Sequence, residues 1–532
     1  MTVPGIAAWL PFIPYLIFAI RRLMSYLHIF QQEEYDGPRF LRWLVRTRSL
    51  DRKLSLVIVV LAVVAIALPG LRFWTALLAA VALLVFAGIE NDPRKSGKKK
   101  LVLTARAKRI LGVALALALV VAILAVAIPA ALVEWLVAVQ LLPVLLVVAN
   151  TLLTPVEQRI QQRFWREAHD KLLDLKPTVI GITGSFGKTS VKHILGHVLE
   201  MNAPTLLTPG SVNTPMGIAR IVREQLDAGH RFFICEMGAY GPGSIARLCR
   251  LAPPNVAVIT AVGYAHYERF KSLDVVAKTK FELAEAVVAN GGKAIVAEPV
   301  LAFAPARAFY DRHRADVIVV GEGANADLRV LAIRQTPAGT ETDIQWQDAR
   351  HTITAPLYGE HQGMNLALVF MTAVSVGMSV ENALFSLRTT PQIKHRLEVK
   401  RDAAGAVTID DAYNSNPVGF ANGLAALDLL KPPNGRRILV TPGMVELGAA
   451  HDEEHRKIGT LAATRVDVLI PVLPERIPTL VAAYRAARPD GVVVPAQNLA
   501  EARAWLATNA RAGDILLLEN DLPDLYEARL AL

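Results

Sequence analysis

Thr178-Val-Ile-Gly-Ile-Thr-Gly-Ser-Phe-Gly-Lys-Thr-Ser190 is the stretch on which the reading of the chain turns. Residues 178–183 form a short β-branched run, which predicts a buried strand. Gly184-Ser-Phe-Gly-Lys-Thr-Ser190 follows, and residues 191–201 then carry apolar side chains at helical spacing. A strand, a glycine loop, a Lys-Thr pair and a helix form the setting in which a phosphate loop works. Glycines let backbone N–H groups approach the phosphates, and the helix N-terminus adds positive potential. On this reading Gly184, Ser185 and Gly187 shape the loop and Lys188 contacts the β- and γ-phosphates of ATP. Thr189 or Ser190 then holds Mg²⁺. The spacing departs from the commonest form, because the position five before Gly187 is Ile182. Alone, the loop indicates an ATP site without defining the reaction.

Upstream the chain changes character. Of its 532 residues 53% are hydrophobic, and the excess lies before about residue 153. Five apolar runs stand there, at 6–20, 54–68, 71–89, 110–128 and 131–148. Most approach the ~20 residues that cross a bilayer. Pro69-Gly70 joins the second run to the third, and Pro129-Ala130 the fourth to the fifth, which predicts two helical hairpins. The loop 21–53 carries Arg21, Arg22, Arg39, Arg42, Arg46, Arg48, Arg52 and Lys53. The loop 90–109 carries Arg94, Lys95, Lys98, Lys99, Lys100, Arg106, Lys108 and Arg109. The hairpin tips hold little basic charge apart from Arg72. The positive-inside asymmetry therefore predicts a multi-pass protein of the cell membrane, with its N-terminus outside. Both basic loops and everything beyond residue 153 are then cytoplasmic.

The formal charge of +10 would also suit nucleic acid, but much of it lies in those two loops and no arginine- and aromatic-rich stripe accompanies it. Membrane lipids, and no nucleic acid, are the expected anionic partners. Cys235 and Cys249 are too few for a disulfide framework or a zinc site and read as reduced core residues.

The expected organisation is a membrane domain of about five spans over 1–153 and an amphipathic linker over 154–175. A central ATP-binding domain (176–390) and a C-terminal α/β domain (391–532) follow. Strand-like runs at 232–236, 256–260 and 294–296 alternate with helical ones, as in a mostly parallel sheet covered by helices. Further strands are expected at 407–409, 437–441, 466–471, 491–494 and 514–518. The site is expected between the two α/β units.

Other segments share an order that points to one family. They are Asn213-Thr-Pro-Met-Gly217, Glu236-Met-Gly-Ala239 and Asn255-Val-Ala-Val-Ile-Thr-Ala-Val-Gly-Tyr-Ala-His266. Ala277-Lys-Thr-Lys-Phe-Glu282, Gly359-Glu-His-Gln-Gly-Met-Asn365 and His395-Arg-Leu-Glu398 come next. Asp410-Asp-Ala-Tyr-Asn-Ser-Asn-Pro417 and Pro442-Gly-Met-Val-Glu-Leu-Gly448 complete the set. With the phosphate loop, this set resembles the Mur ligases, the amide ligases of peptidoglycan synthesis, over roughly residues 175–520. The likeness is nearest to the MurF branch, which adds D-alanyl-D-alanine.

The resemblance implies a Mur-type central P-loop ATPase domain and a Rossmann-like C-terminal domain. It implies transfer of the γ-phosphoryl of ATP to a carboxylate, attack by an amine on the acyl phosphate, and release of ADP and phosphate. Glu236 and His266 are then metal ligands beside Thr189. Lys280 matches a lysine that is carbamylated into a carboxylate-like ligand, with Lys278 as its rival and Glu282 as a supporting acid. Lys188, Lys280, His266 and Arg396 form the implied catalytic set. Arg396 reaches the nucleotide phosphates, and His361 and Asn365 lie toward adenine. Asp411, Tyr413, Asn414, Asn416 and Pro417 contact nucleotide and amine, and Asn213 and Thr214 contact substrate.

Three departures accompany the likeness. Apolar spans run almost to the phosphate loop, where the family has a soluble domain for the uridine nucleotide. Val296-Ala-Glu-Pro299 stands where an Asn-Xaa-Asp-Asp segment is expected. Gly513-Asp-Ile-Leu-Leu-Leu-Glu-Asn-Asp521 lacks a Lys-Gly-Ser ending. The expected reaction joins an amino acid or short peptide to a small-molecule or lipid-linked envelope precursor, with envelope-synthesis membrane proteins as further partners. The alternatives are a membrane-anchored ligase of a poly-γ-glutamate type polymer and a non-catalytic ATP-binding scaffold. Intact Lys188, Glu236, His266 and Lys280 speak against the scaffold.

Overall fold

The computed structural model describes residues 5–47, 49–95, 100–263, 270, 272–401, 406–413, 415–445 and 447–520. They form two compact units that divide at Gln161/Gln162.

The first unit is helical. Among the described residues four helices are long and apolar enough to cross a membrane: Ile6–Gln32, Pro69–Ile89, Ala105–Ala127 and Val133–Leu175, the last running on past the division. The remaining apolar run forms the helix Lys53–Ala67. At 15 residues it measures ~22 Å, against a hydrocarbon core of ~30 Å. Its buried side carries Leu54, Ile58, Ala62 and Ala65, yet Leu56, Val60, Val63 and Ile66 on the other side are exposed. A helix apolar on every side suits a lipid surround. Ala107, Ala114, Ala118 and Ala122 are fully buried on Ala105–Ala127 and let it lie close against the helix Phe12–Gln32.

The expected loop 21–53 is largely helix. Phe12–Gln32 continues through both arginines, and Gly37–Arg46 follows, capped by Asp36, whose carboxylate accepts the Arg39 N–H at 2.9 Å. The first helix can continue because Arg22 is not solvated. Its buried guanidinium pairs with Asp51 at 3.0 Å and with Glu90 at 3.5 Å.

The second unit holds two sheets. The first contains β1 (Thr178–Thr183), β2 (Thr205–Leu207), β3 (Phe232–Glu236), β4 (Val256–Ile259), β5 (Lys293–Ala297) and β6 (Val317–Gly321). β7 (Leu328–Thr336), β8 (Gly339–Trp346) and β9 (Ala349–Ala355) complete it. Its order is β2-β3-β1-β4-β5-β6-β7-β8-β9. Pairing is parallel up to β7 and antiparallel from β7 to β9. The direction of strand succession reverses at β1, and open α/β sheets bind ligands at the carboxyl ends of strands beside such a switch.

The second sheet contains β10 (Glu398–Arg401), β11 (Val407–Asp411), β12 (Arg437–Thr441), β13 (Val468–Pro471), β14 (Val492–Val493) and β15 (Ile515–Glu519). Their order is β10-β11-β15-β12-β13-β14, with only β10 antiparallel. Each sheet has its own apolar core, around Ile180, Ile194, Val258 and Phe281 in the first and Ile409, Leu424, Leu439 and Leu469 in the second.

Candidate active site

β1 delivers the glycine loop at its carboxyl end. A Cβ on Gly184 would lie 1.9 Å from Thr260 Oγ1, and one on Gly187, at φ +83°, would lie 2.8 Å from Asn365 Oδ1. Neither position accommodates a side chain. Ser185 Oγ accepts the Gly263 N–H at 2.8 Å and donates to the Gly263 carbonyl at 3.0 Å, which ties the loop to the end of β4. The helix Lys188–Glu200 begins directly after the loop, with Ser190 buried in its first turn. The Lys188 ammonium folds back on the Gly184 carbonyl at 2.6 Å. Burial holds its pKa below the ordinary range, helped by the nearby Arg396 charge and opposed by Glu236.

Glu236, the last residue of β3, is buried and surrounded by donors. Thr189 Oγ1 donates to its Oε2 at 3.0 Å, and the Lys192 ammonium reaches the same oxygen at 3.2 Å. Asn213 Nδ2 donates to its Oε1 at 3.2 Å and is itself oriented by the Tyr240 hydroxyl, which donates to Asn213 Oδ1 at 2.8 Å. Burial pushes the Glu236 carboxyl up, but Lys188, Lys192, Asn213 and Thr189 together bring it below the usual carboxylate range. It is therefore an anion at neutral pH. Lys192 is fully buried and also donates to the Gly210 carbonyl. No motif in the sequence marks Lys192, although it lies one helical turn beyond Lys188, where side chains share a face.

Lys280 and Lys278 lie on the helix Leu273–Ala289 and part company there. Lys280 is buried and Lys278 exposed. Burial, and then the Lys188 charge, hold the Lys280 pKa well below its ordinary value. No carboxylate pairs with it among the described residues. Glu282 does other work: its two oxygens accept the Gly243 and Ala246 N–H groups at 2.6 and 2.9 Å, capping the helix Ser244–Leu251.

On the C-terminal side, the Arg396 guanidinium carbon lies 4.4 Å from the centre of the Tyr413 ring. The Asn422 carboxamide oxygen accepts the Glu360 N–H at 2.8 Å and joins that side to the helix His361–Ser375. Asn365 on this helix is buried, donates to Gln362 Oε1 at 2.9 Å and turns its oxygen to Gly187. Burial pushes His361 down to about 4, so it is neutral. Asp411 ends β11 and accepts the Leu397 N–H at 3.2 Å. Thr214 and Asn416 cap the helices Pro215–Gln225 and Pro417–Leu429, in which Pro215 and Pro417 take the first position. His266 and Asn414 lie outside the described residues. A second residue missed in the sequence is Glu519, buried beside Asp411 at the end of β15.

Two family models match: Mur ligase middle domain over residues 182–373, and Mur ligase, glutamate ligase domain over residues 395–519. The chain is 32% identical over 375 residues to the UDP-N-acetylmuramoyl-tripeptide–D-alanyl-D-alanine ligase of Mycobacterium leprae, covering 64% of this chain and 70% of that one. It belongs to the Mur ligase family. To the ligase of the same name from Mycobacterium tuberculosis it is 35% identical over 298 residues, 55% of this chain and 57% of the relative. The match thus spans little more than half the length of that relative. The crystal structure of MurF ligase from Thermotoga maritima in complex with ADP superposes with a TM-score of 0.58 at 27% identity, over 70% of this chain and 81% of that one.

Proposed function

We propose that the chain is an ATP-dependent amide-bond ligase of the cell membrane that joins a peptide-bearing carboxylate of a peptidoglycan-type precursor to an amino acid or short peptide. The observation that carries this reading is the Thr189–Glu236 contact of 3.0 Å beside the phosphate loop. A hydroxyl at the start of a helix and an ionised carboxylate at a strand end are the hard oxygen donors that suit Mg²⁺. When bound there, Mg²⁺ would neutralise charge on the β- and γ-phosphates. Asn213, Lys192 and Thr208 fix Glu236 for that task, the last accepting the Glu236 N–H at 3.2 Å.

The chain's own residues then supply positioning and positive charge. Backbone N–H groups of the loop and Lys188 hold the phosphates, and Arg396 brings a second cation from the C-terminal side. The acceptor carboxylate attacks the γ-phosphorus and ADP leaves. The amine attacks the acyl carbon, the carbon–oxygen bond breaks, and phosphate leaves with the proton the amine gives up as the amide forms. Both steps concentrate negative charge, so fixed cations provide most of the stabilisation. Burial lowers the Lys280 pKa and so favours its amine as a nucleophile toward CO₂; the carbamate, formed with release of a proton, would offer the cation an oxygen ligand in addition to the proposed ligands Thr189, Glu236 and His266.

The two relatives named above are ligases of a UDP-linked muramoyl tripeptide and D-alanyl-D-alanine, which supports a muramyl peptide and a dipeptide as the substrate classes here. The four apolar helices support a membrane location and a lipid-linked form of the acyl substrate. With purified full-length protein, ATP and Mg²⁺, phosphate release should require the carboxylate and the amine together. Release that is indifferent to the amine would leave an ATPase and sink the ligase reading.

A further inference from the structure

β11 and β15 run parallel with Asp411 and Glu519 in register, so two acidic residues stand side by side at adjacent strand ends. Both are buried, Glu519 completely. Asp411 Oδ1 accepts the N–H of Leu397, the residue after Arg396, at 3.2 Å. Glu519 Oε1 accepts the Ser415 hydroxyl at 2.5 Å, and Glu519 Oε2 is buried without a hydrogen-bond partner among the described residues. The pair is therefore stitched to both walls of the C-terminal side, one through Leu397 and one through Ser415.

Among the described residues Arg396 is the cation that acts on both groups, and Asp410 adds negative charge at Asp411. Asp410 is itself held by His395 and Lys400 on the β10 side, each at 3.0 Å. The helix Pro417–Leu429 presents Gly423 to Glu519, and β12, the other neighbour of β15, ends in the uncharged Val440 and Thr441. Two ionised carboxylates against one guanidinium would leave a buried charge without compensation.

We propose that Asp411 and Glu519 share a single proton and act as a positioning pair for Arg396 and the Tyr413 loop. With one proton the pair carries one negative charge against one guanidinium; losing it adds a second buried charge and loosens both walls. Burial pushes both carboxyls up, Asp411 to about 7 with Asp410 adding to the rise, and Glu519 with Asp411 adding to it.

The test reads the proton directly, by infrared difference spectroscopy of the full chain in lipid nanodiscs across a pH series. The wild type should show a protonated-carboxyl band at neutral pH that fades as pH rises. In Glu519→Gln Asp411 alone remains to hold a proton beside Arg396, and the band should fade at lower pH than in the wild type. Ser415→Ala, which removes only a hydroxyl, should hold the band to higher pH and serves if the first variant folds poorly. A wild type without the band, or variants whose band titrates as the wild type's does, overturns the proposal. The functional arm rests on the ligase reading. ATP affinity should weaken by about tenfold per pH unit above the transition in the wild type and stay level in Glu519→Gln. Absence of ATP binding at every pH would defeat the ligase reading, while the infrared result still decides the pair.

Discussion

Thr189 and Glu236 are joined by a hydrogen bond of 3.0 Å, hydroxyl to carboxylate, across 47 residues of sequence. The contact links the first turn of the helix Lys188–Glu200 to the end of β3, so the proposed cation and phosphate sites share one frame. If those two atoms hold Mg²⁺, Thr189→Ala should raise the Mg²⁺ concentration for half-maximal ATP turnover by on the order of 10- to 100-fold. Glu236→Gln should do at least as much. Titration of turnover against free Mg²⁺ checks this, and an unchanged half-saturation would place the cation elsewhere.

Lys192 should matter for stability as well as for the site. Its ammonium is fully buried against Glu236, and removing one member of a buried pair costs about 3–5 kcal/mol because the other is left uncompensated. Lys192→Met should therefore lower the denaturation midpoint of the second unit markedly. Lys192→Met, Glu236→Leu together should recover part of the loss. No coupling between the two substitutions would contradict the assigned pairing.

The two lysines of the Leu273–Ala289 helix should separate cleanly. Lys280→Ala should abolish phosphoryl transfer, and a short carboxylic acid added to the variant should restore part of it. Lys278→Ala, on the exposed face, should behave as wild type. Restoration in neither variant would remove the carbamate from the account.

Acid stability should report on Asp467. Its carboxylate accepts from Arg437 and Arg488 at 3.1 and 2.8 Å. Burial acts to raise its pKa, but these arginines hold it down to about 2. A carboxyl lowered in the folded state contributes stability above its unfolded pKa of ~4 and loses it as pH falls through the folded value. Between pH ~4 and ~2 the wild type should lose about 2 kcal/mol that Asp467→Asn never had. Denaturant melts at those two pH values measure the difference.

The apolar helical unit invites site mapping, because both native cysteines are buried. A cysteine at Gly70 or at Ala131, in the connections between apolar helices, should react with an impermeant thiol reagent from outside intact cells. One at Arg94 should react only after the membrane is opened. The reverse pattern would invert the topology read from the basic residues.

The phosphate loop and most parallel strands were legible in the sequence, because glycine spacing and β-branched runs are local signals. Glu236 was legible as a strand-end acid within a motif. Lys192 was not, because a lysine on an amphipathic helix ordinarily points to water, and only the fold shows that this one turns inward. Glu519 ends a strand and reads as a surface acid until β11 is laid beside it. The antiparallel strands β7–β9 were overlooked, though Leu328 and Val330 alternate with more exposed neighbours in β7. The helix through Arg21 and Arg22 was hidden by its charges, since nothing in the sequence pairs Arg22 with Asp51 and Glu90.

In the proposed reaction ATP activates a carboxylate. The most direct measurement supplies the acyl substrate with heavy oxygen in its carboxylate and follows the label by mass spectrometry. Full-length protein supplied with nucleotide-linked or lipid-linked muramyl peptides and a dipeptide amine should release phosphate carrying one labelled oxygen per amide formed. Phosphate released without label, or with no amide beside it, would contradict that reaction.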